Sequence, residues 1–335
     1  TISLRWHYRS RHESLINFSN RYFYEDRLEV FPSPRDAGGT LGVTRVKVDG
    51  SYKQSVNVKE AEAVIVQLKR CMADYPDDSI GVVAMNAKQA EFINEQLDMY
   101  KDTDPVGSRY FDRWNDDPLN FLFVRNLENV QGDERDTIII STVYGPDEKG
   151  NMFQRFPLIN TATGHRRLNV LFTRAKNRVI LVTSMNGSDV KLDDRSTRGK
   201  KALQNYIEYA GTGRLDSGDV DLMAQADSDF ELHVMERLKV AGYDPVPQVG
   251  VRGFRIDIGV RHPSYPDGFI AGIECDGATY HSSPQARDRD KIRQDILQSL
   301  GWKIYRIWST DWFSDPLKET DKMLAWLQQV GGVGN

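Results

Sequence analysis

The 335-residue chain carries only two cysteines, Cys71 and Cys275. Two thiols cannot build a disulfide framework or a four-cysteine zinc site. Both read as small buried thiols of a reducing compartment, and the expected address is cytoplasmic. No apolar run approaches the ~20 residues of a membrane span and nothing at the start reads as a signal peptide, so no membrane partner is expected. A basic excess is missing too. The formal net charge is −4, so nucleic acid would have to be held by local basic strips, within a Debye length of about 8–10 Å. There is no GxxxxGK[ST] loop to cradle β- and γ-phosphates, and no acidic pair in the usual magnesium role beside one. Internal repeats and low-complexity tracts are absent as well.

The length suits two domains at roughly 150 residues each. Four apolar runs read as buried parallel strands: residues 79–84, 120–124, 137–142 and 178–183. Their Val/Ile/Leu content lacks polar alternation, as strands covered on both faces require. Helical patterns lie between them at 59–75, with Ala63, Val66, Leu68, Cys71 and Met72 at near-helical spacing, and at 88–100 and 166–176. This alternation predicts an α/β domain with a parallel sheet over residues 1–186. The stretch 187–227 has one short helical pattern (200–209) and an acidic, Gly-containing end, and reads as a linker. Residues 228–335 form a second, smaller α/β domain in αββαβ order. Its helix 230–241 places Leu232, Met235 and Leu238 on one face and closes at Gly242. Strands 255–260 and 270–275 follow, then a polar helix at 288–300 and a strand at 303–308.

Three segments of the first domain belong together: WHYRSRHESLINFSNRYFYEDRL (Trp6–Leu28), LENVQGDERDTIIISTV (Leu127–Val143) and GHRRLNVLFTRAKNRVILV (Gly164–Val182). In order and spacing they resemble motifs IV, V and VI of superfamily 1 helicases, in the branch of the nonsense-mediated-decay helicases. That resemblance implies a RecA-like second motor domain. Phosphoryl transfer is helped by arginines placed around the γ-phosphate, and the resemblance gives Arg9 and Arg174 this role. It gives Gln131, Gly132 and Glu134 to a loop that meets ATP, with Glu134 accepting a ribose hydroxyl, and Thr142 to a nucleic-acid phosphate. The phosphate-cradling half belongs to a first motor domain. The chain begins at Thr1, inside a motif, so it is expected to be the C-terminal piece of a longer protein whose N-terminal motor domain is its partner. Alone it is not expected to hydrolyse ATP.

In the second domain, GFRIDIGV (Gly253–Val260) precedes GIECDGATYH (Gly272–His281). Alternate strand residues share a face. Asp257 then points away from Ile256 and Ile258, and Glu274 shares a face with Asp276. Paired, the strands bring three carboxylates to one end, where they repel unless a cation is bound; an all-oxygen set suits Mg2+ or Mn2+. The pattern resembles the PD-(D/E)xK nucleases, and more narrowly the very-short-patch-repair endonucleases. The resemblance also rests on Glu231 of the first helix, Gln248, the Asp276–Gly277 turn and His281. It implies metal held by Asp257 with Glu274 or Asp276, acid/base work by His281 and water orientation by Glu231. Arg287, Arg289, Lys291 and Arg293 offer charge to DNA phosphates, or simply form a solvated helix face. Tyr280, Trp308 and Trp312 are expected to pack rather than stack on bases.

Asp276 stands where that superfamily has lysine. His281 or Lys291 then takes its place, or the metal site differs, or the domain only grips DNA. Three functions therefore stay open: metal-dependent DNA cleavage coupled to an ATP-driven motor, an inactive nuclease-fold binding module, and an RNA helicase fragment.

Overall fold

A computed structural model describes residues 6–7, 9–36, 40–101, 103–130, 132–215, 228–251, 254–277 and 284–331, with the side chains of all but 251 and 284–290. Two compact units emerge, and the chain passes between them more than once. One comprises residues 14–25 and 37–218; the other comprises 1–13, 26–36 and 219–335. Among the described residues no helix is long and apolar enough to cross a membrane.

Two short strands open the chain, β1 (Trp6–His7) and β2 (Glu29–Val30), paired in parallel. Between them runs α1 (Ser14–Phe23), which belongs to the unit of 37–218. That unit has a five-stranded parallel sheet: β3 (Gly42–Lys47), β4 (Ile80–Ala84), β5 (Phe123–Asn126), β6 (Arg135–Ser141) and β7 (Ala175–Thr183), in the order β3-β7-β6-β4-β5. The expected strands are there, within a few residues. The sequence reading missed β3, an edge strand whose Thr44 and Arg45 interrupt the apolar run that marks its neighbours.

Helices α2 (Val58–Asp74), α3 (Ala87–Lys101), α4 (Pro105–Trp114), α5 (Gly164–Phe172) and α6 (Arg198–Thr212) cover the sheet. Asn57 caps α2 by accepting the Glu60 N–H at 3.2 Å, which supplies one of the donors a helix start leaves unpaired. The buried stripe of α2 is Ala61, Val64, Leu68, Cys71 and Met72. Val66, expected on that stripe, is 58% exposed; the i, i+4 series from Glu60 to Leu68 sets the phase instead.

The second unit has a four-stranded sheet in the order β11-β10-β9-β8: β8 (Asp244–Val251), β9 (Phe254–Arg261), β10 (Ala271–Asp276) and β11 (Ile304–Trp308). Pairing is antiparallel across β8, β9 and β10, and parallel between β10 and β11. The αββαβ expectation missed β8, because Pro245 and Pro247 argue against a strand. It lies at the sheet edge, the place where proline is tolerated. Two terminal helices, α9 (Ser309–Ser314) and α10 (Pro316–Gly331), were also missed.

One face of this sheet packs on α7 (Asp229–Val240), α9 and α10 through Phe230, Val234, Leu238, Trp312, Met323 and Leu327. Leu232 of α7 is 52% exposed, contrary to the expected face. The other face takes Leu297 of α8 (Pro284–Ser299) and Phe31 from the early segment. Residues 26–36 are bound in by specific bonds. The Trp302 indole N–H donates to the Pro32 carbonyl at 2.8 Å, the Phe269 N–H to that of Pro34 at 2.7 Å, and Arg261 reaches both oxygens of Asp36.

Candidate functional site

The acidic residues gather where the ladder of the four-stranded sheet is interrupted. Strands β9 and β10 pair from Ala271↔Val260 to Ile273↔Ile258. Beyond that point the Cys275 N–H donates to Oδ2 of Asp257 at 2.8 Å. On the other side, β8 pairs Pro247↔Ile258 and Val249↔Ile256. Gln248, between them and across from Asp257, sits in the left-handed region at φ 52°.

The interruption moves side chains between faces. Ile256 packs with Phe254, Phe269, Leu297 and Trp302, whereas Ile258 packs with Phe230, Val234, Ile273 and Ile307. The simple alternation read from the sequence, which put both isoleucines in one core, is corrected by this bend at Asp257.

Burial pushes the Asp257 carboxyl from its ordinary 3.8 up to about 6. The Cys275 N–H works against the rise, and the charges of Glu231, Glu274 and Asp276 reinforce it. The same carboxylates, after burial, raise the Cys275 thiol. Four acids thus share one electrostatic environment, each held differently. Glu274 lies beside Arg306 in the parallel register of β10 and β11 and pairs with its Nη2 at 3.0 Å and Nε at 3.1 Å. Glu231, in the first turn of α7, accepts the Ser228 hydroxyl at 3.2 Å and the Gln248 amide at 3.0 Å, and is 5% exposed. Asp276 ends β10.

His281 and Tyr280 lie outside the described residues. Arg287 and Arg289 fall on α8, but their side chains are not among those described. Lys291 is exposed on the same helix. Arg293 is half-buried, donates to the Arg255 carbonyl at 3.0 Å and lies 3.7 Å over the Phe254 ring, so it braces β9. Trp312 is buried in the core, as expected, and Trp308 is exposed. Arg306 and Ser228 went unnoticed in the sequence, because a tertiary ion pair and a cap on a helix after a linker leave no spacing signature.

A divalent cation fits the donor chemistry here. The donors are hard oxygens, and the burial and crowding that push Asp257 upward are conditions a bound cation would relieve. Magnesium commonly takes one or two protein carboxylates and completes its shell with water and phosphate. Among the described residues, however, no group of three or more His, Cys, Asp or Glu side chains is already drawn together as a ligand set. Glu274 is turned to Arg306, and Glu231 to Ser228 and Gln248.

The residues expected to meet ATP divide between the units. Arg9, exposed, belongs to the unit that contains the acid cluster. Beside it, burial and the Arg9 cation lower His7 to about 4. Gly132, Glu134 and Arg174 belong to the parallel-sheet unit, and Gln131 lies outside the described residues. Gly132 has φ 95° and open space around its missing Cβ, so glycine answers a backbone requirement there. Motif V and motif VI meet where β6 and β7 begin, the Arg135 N–H donating to the Arg174 carbonyl at 3.2 Å. Arg174 is half-buried, and its Nε donates to the Val170 carbonyl at 2.8 Å.

Thr142 stands at the other end of β6. It is buried, and its hydroxyl donates to Glu60 at 3.1 Å and meets Thr183 at 2.9 Å, so in this arrangement it offers no surface to a phosphate.

Comparison with known proteins adds family and kin. A family model described as an AAA domain matches residues 1–186, more than half of the chain. A second, REase_MTES_1575, matches residues 230–327. The "Uncharacterized ATP-dependent helicase MG140 homolog" of Mycoplasma pneumoniae is 29% identical over 325 residues, covering 93% of this chain and 28% of the relative. The "Uncharacterized ATP-dependent helicase MG140" of Mycoplasma genitalium is 29% identical over 333 residues, covering 96% and 29%. "Putative helicase MOV-10" of Gallus gallus is 28% identical over 206 residues, covering 53% and 20%. The chain thus spans less than a third of the length of these curated relatives.

Proposed function

The chain belongs to the AAA domain family, joining a helicase-like domain to a restriction-endonuclease-like one, and from that premise we propose that it cleaves DNA phosphodiester bonds with a divalent metal. In a longer protein this cleavage would be coupled to ATP-driven movement along DNA, with Arg9, Gln131, Gly132, Glu134 and Arg174 turned to the nucleotide. The observation that carries the cleavage reading is Asp257, half-buried at a break in the sheet among Glu231, Glu274 and Asp276.

Asp257 with Glu274 or Asp276 would hold Mg2+ or Mn2+. When bound, such an ion polarises a phosphodiester and lowers the pKa of a water. Glu231 supplies fixed negative charge beside Asp257, His281 moves a proton, and Lys291 with Arg287 and Arg289 meets backbone phosphates. Arg293 is proposed to act from its place against β9.

Incubation of the purified chain with labelled single- and double-stranded DNA, Mg2+ or Mn2+, and EDTA tests this. Metal-dependent cutting should be lost in Asp257→Ala. Binding without cutting, in either metal and in the longer protein with ATP, would sink the nuclease reading. It would leave the second one, a module that only grips DNA, which the engagement of Glu274 by Arg306 favours.

A further inference from the structure

Gln248 is the one described residue of the four-stranded sheet, glycine apart, in the left-handed backbone region. A side chain with a Cβ pays a steric penalty there, and such strain persists where the surroundings over-determine it. Two features determine it here. The bend occurs between the pairs Pro247↔Ile258 and Val249↔Ile256, opposite Asp257. It also directs the Gln248 amide inward, where Nε2 donates to Oε2 of Glu231 at 3.0 Å. Donor and acceptor are nearly out of solvent, Gln248 at 6% and Glu231 at 5% exposure. A carboxylate can only accept, so the amide nitrogen must be the atom that faces it. The other oxygen of Glu231 is held by the Ser228 hydroxyl. Glu231 is therefore gripped at both oxygens.

We propose that Gln248 is a positioning residue for cation binding: its left-handed turn aims the amide that fixes Glu231 beside Asp257. Glu231 then acts as an immobile anion behind the metal-binding carboxylates, rather than as a group free to swing onto metal or water. This rests on the metal-dependent reading of the same site. Partners bonded directly to metal ligands are commonly worth about 10–100-fold in metal affinity, and Gln248, one residue further out, belongs at the low end of that range.

Glycine separates the two uses of the residue. Gln248→Gly suits the left-handed backbone but has no amide, whereas Gln248→Met keeps the bulk and loses the donor. Mn2+ binding to the full chain is followed by electron paramagnetic resonance, with thermal unfolding in parallel. The expected result is that both Gln248→Gly and Gln248→Met remain folded, each with some loss of stability from the buried Glu231 oxygen left short of a donor, yet bind Mn2+ about tenfold more weakly, the low end of the outer-position range. Unchanged Mn2+ affinity in either folded variant would overturn the proposal and leave Gln248 a backbone device. Absence of Mn2+ binding by the unsubstituted chain would overturn the metal reading itself, a failure distinguishable from the first.

Discussion

Glu60 of the parallel-sheet unit and Asp257 of the four-stranded unit are both carboxylates drawn out of water, and burial raises the pKa of each. Their surroundings differ in kind. Glu60 accepts from the Ser141 hydroxyl at 2.8 Å, the Val143 N–H at 2.7 Å, the Thr142 hydroxyl at 3.1 Å, the Ser184 N–H at 2.8 Å and the Asn57 amide at 3.4 Å. These donors come from the ends of β6 and β7 and the cap of α2. One of them, Val143, is a β-branched residue held at φ 62°. Asp257 accepts the Cys275 N–H and is otherwise confronted by three more carboxylates. A buried acid saturated with donors ties strands together. A half-buried acid crowded by its own kind stores repulsion that a ligand can relieve. Glu60 is wholly buried and Asp257 half-buried, but what separates their roles is the neighbours.

The sharpest way to break this contrast is to neutralise Glu60. Glu60→Gln replaces one acceptor oxygen with an NH2 group, which turns donors onto donors inside a closed network. Each orphaned buried donor costs about 1–3 kcal/mol, so the parallel-sheet unit should lose about 3 kcal/mol or more in urea unfolding. A loss below about 1 kcal/mol would mean the network repairs itself and that Glu60 is no strut.

At Asp257 the sign should reverse. Its folded value of about 6 lies above the ordinary 3.8, so the folded state holds its proton longer than the unfolded one. The stabilisation is complete below pH ~4, declines as pH climbs through about 6, and is absent above. Asp257→Asn removes that decline. At pH 7.5 the variant should be more stable than the unsubstituted chain by about 1–2 kcal/mol, less than the full linkage value because the carboxylate keeps some solvent contact. Urea midpoints for both proteins at pH 4 and pH 7.5 measure it. Parallel pH dependence would show that Asp257 carries no stored repulsion. If the proposed cleavage activity is found, its loss in the stabilised variant would mark the residue as kept for chemistry.

The sequence revealed most where chemistry is local. Continuous Val/Ile runs gave β4, β6 and β7 within a few residues, since strands covered on both faces have no polar positions to blur them. The edge strands β3 and β8 were lost for the converse reason, their polar residues and prolines being tolerable only at an edge that sequence cannot locate. Helix phase was misjudged at Val66 and Leu232, where one apolar residue lies just off the buried stripe. That Pro32 and Pro34 serve the sheet of Trp302 and Phe269 depends on a sequence separation of more than 200 residues, which no periodicity encodes. At the acid cluster, residue types were readable, whereas the Gln248 bend and the Arg306 pairing are tertiary facts.

Thr142 gives the smallest and most discriminating test, because sequence and structure assign its hydroxyl to different partners. Motif resemblance sends it to a nucleic-acid phosphate; the structure gives it to Glu60 and Thr183. Thr142→Val keeps the shape and removes one hydrogen-bonding group among several around Glu60. The loss should be about 1 kcal/mol, the net worth of one such bond plus a partner left short. Because the side chain is buried, the nucleic-acid affinity expected on the proposed function should stay within about twofold and its salt dependence should not move, whereas loss of a true phosphate contact weakens binding across sequences. Filter binding over a salt series, beside urea unfolding, reads both quantities. A drop in affinity at unchanged stability would mean that the hydroxyl leaves Glu60 when nucleic acid is bound. The Glu60 network would then be a resting arrangement rather than a permanent strut.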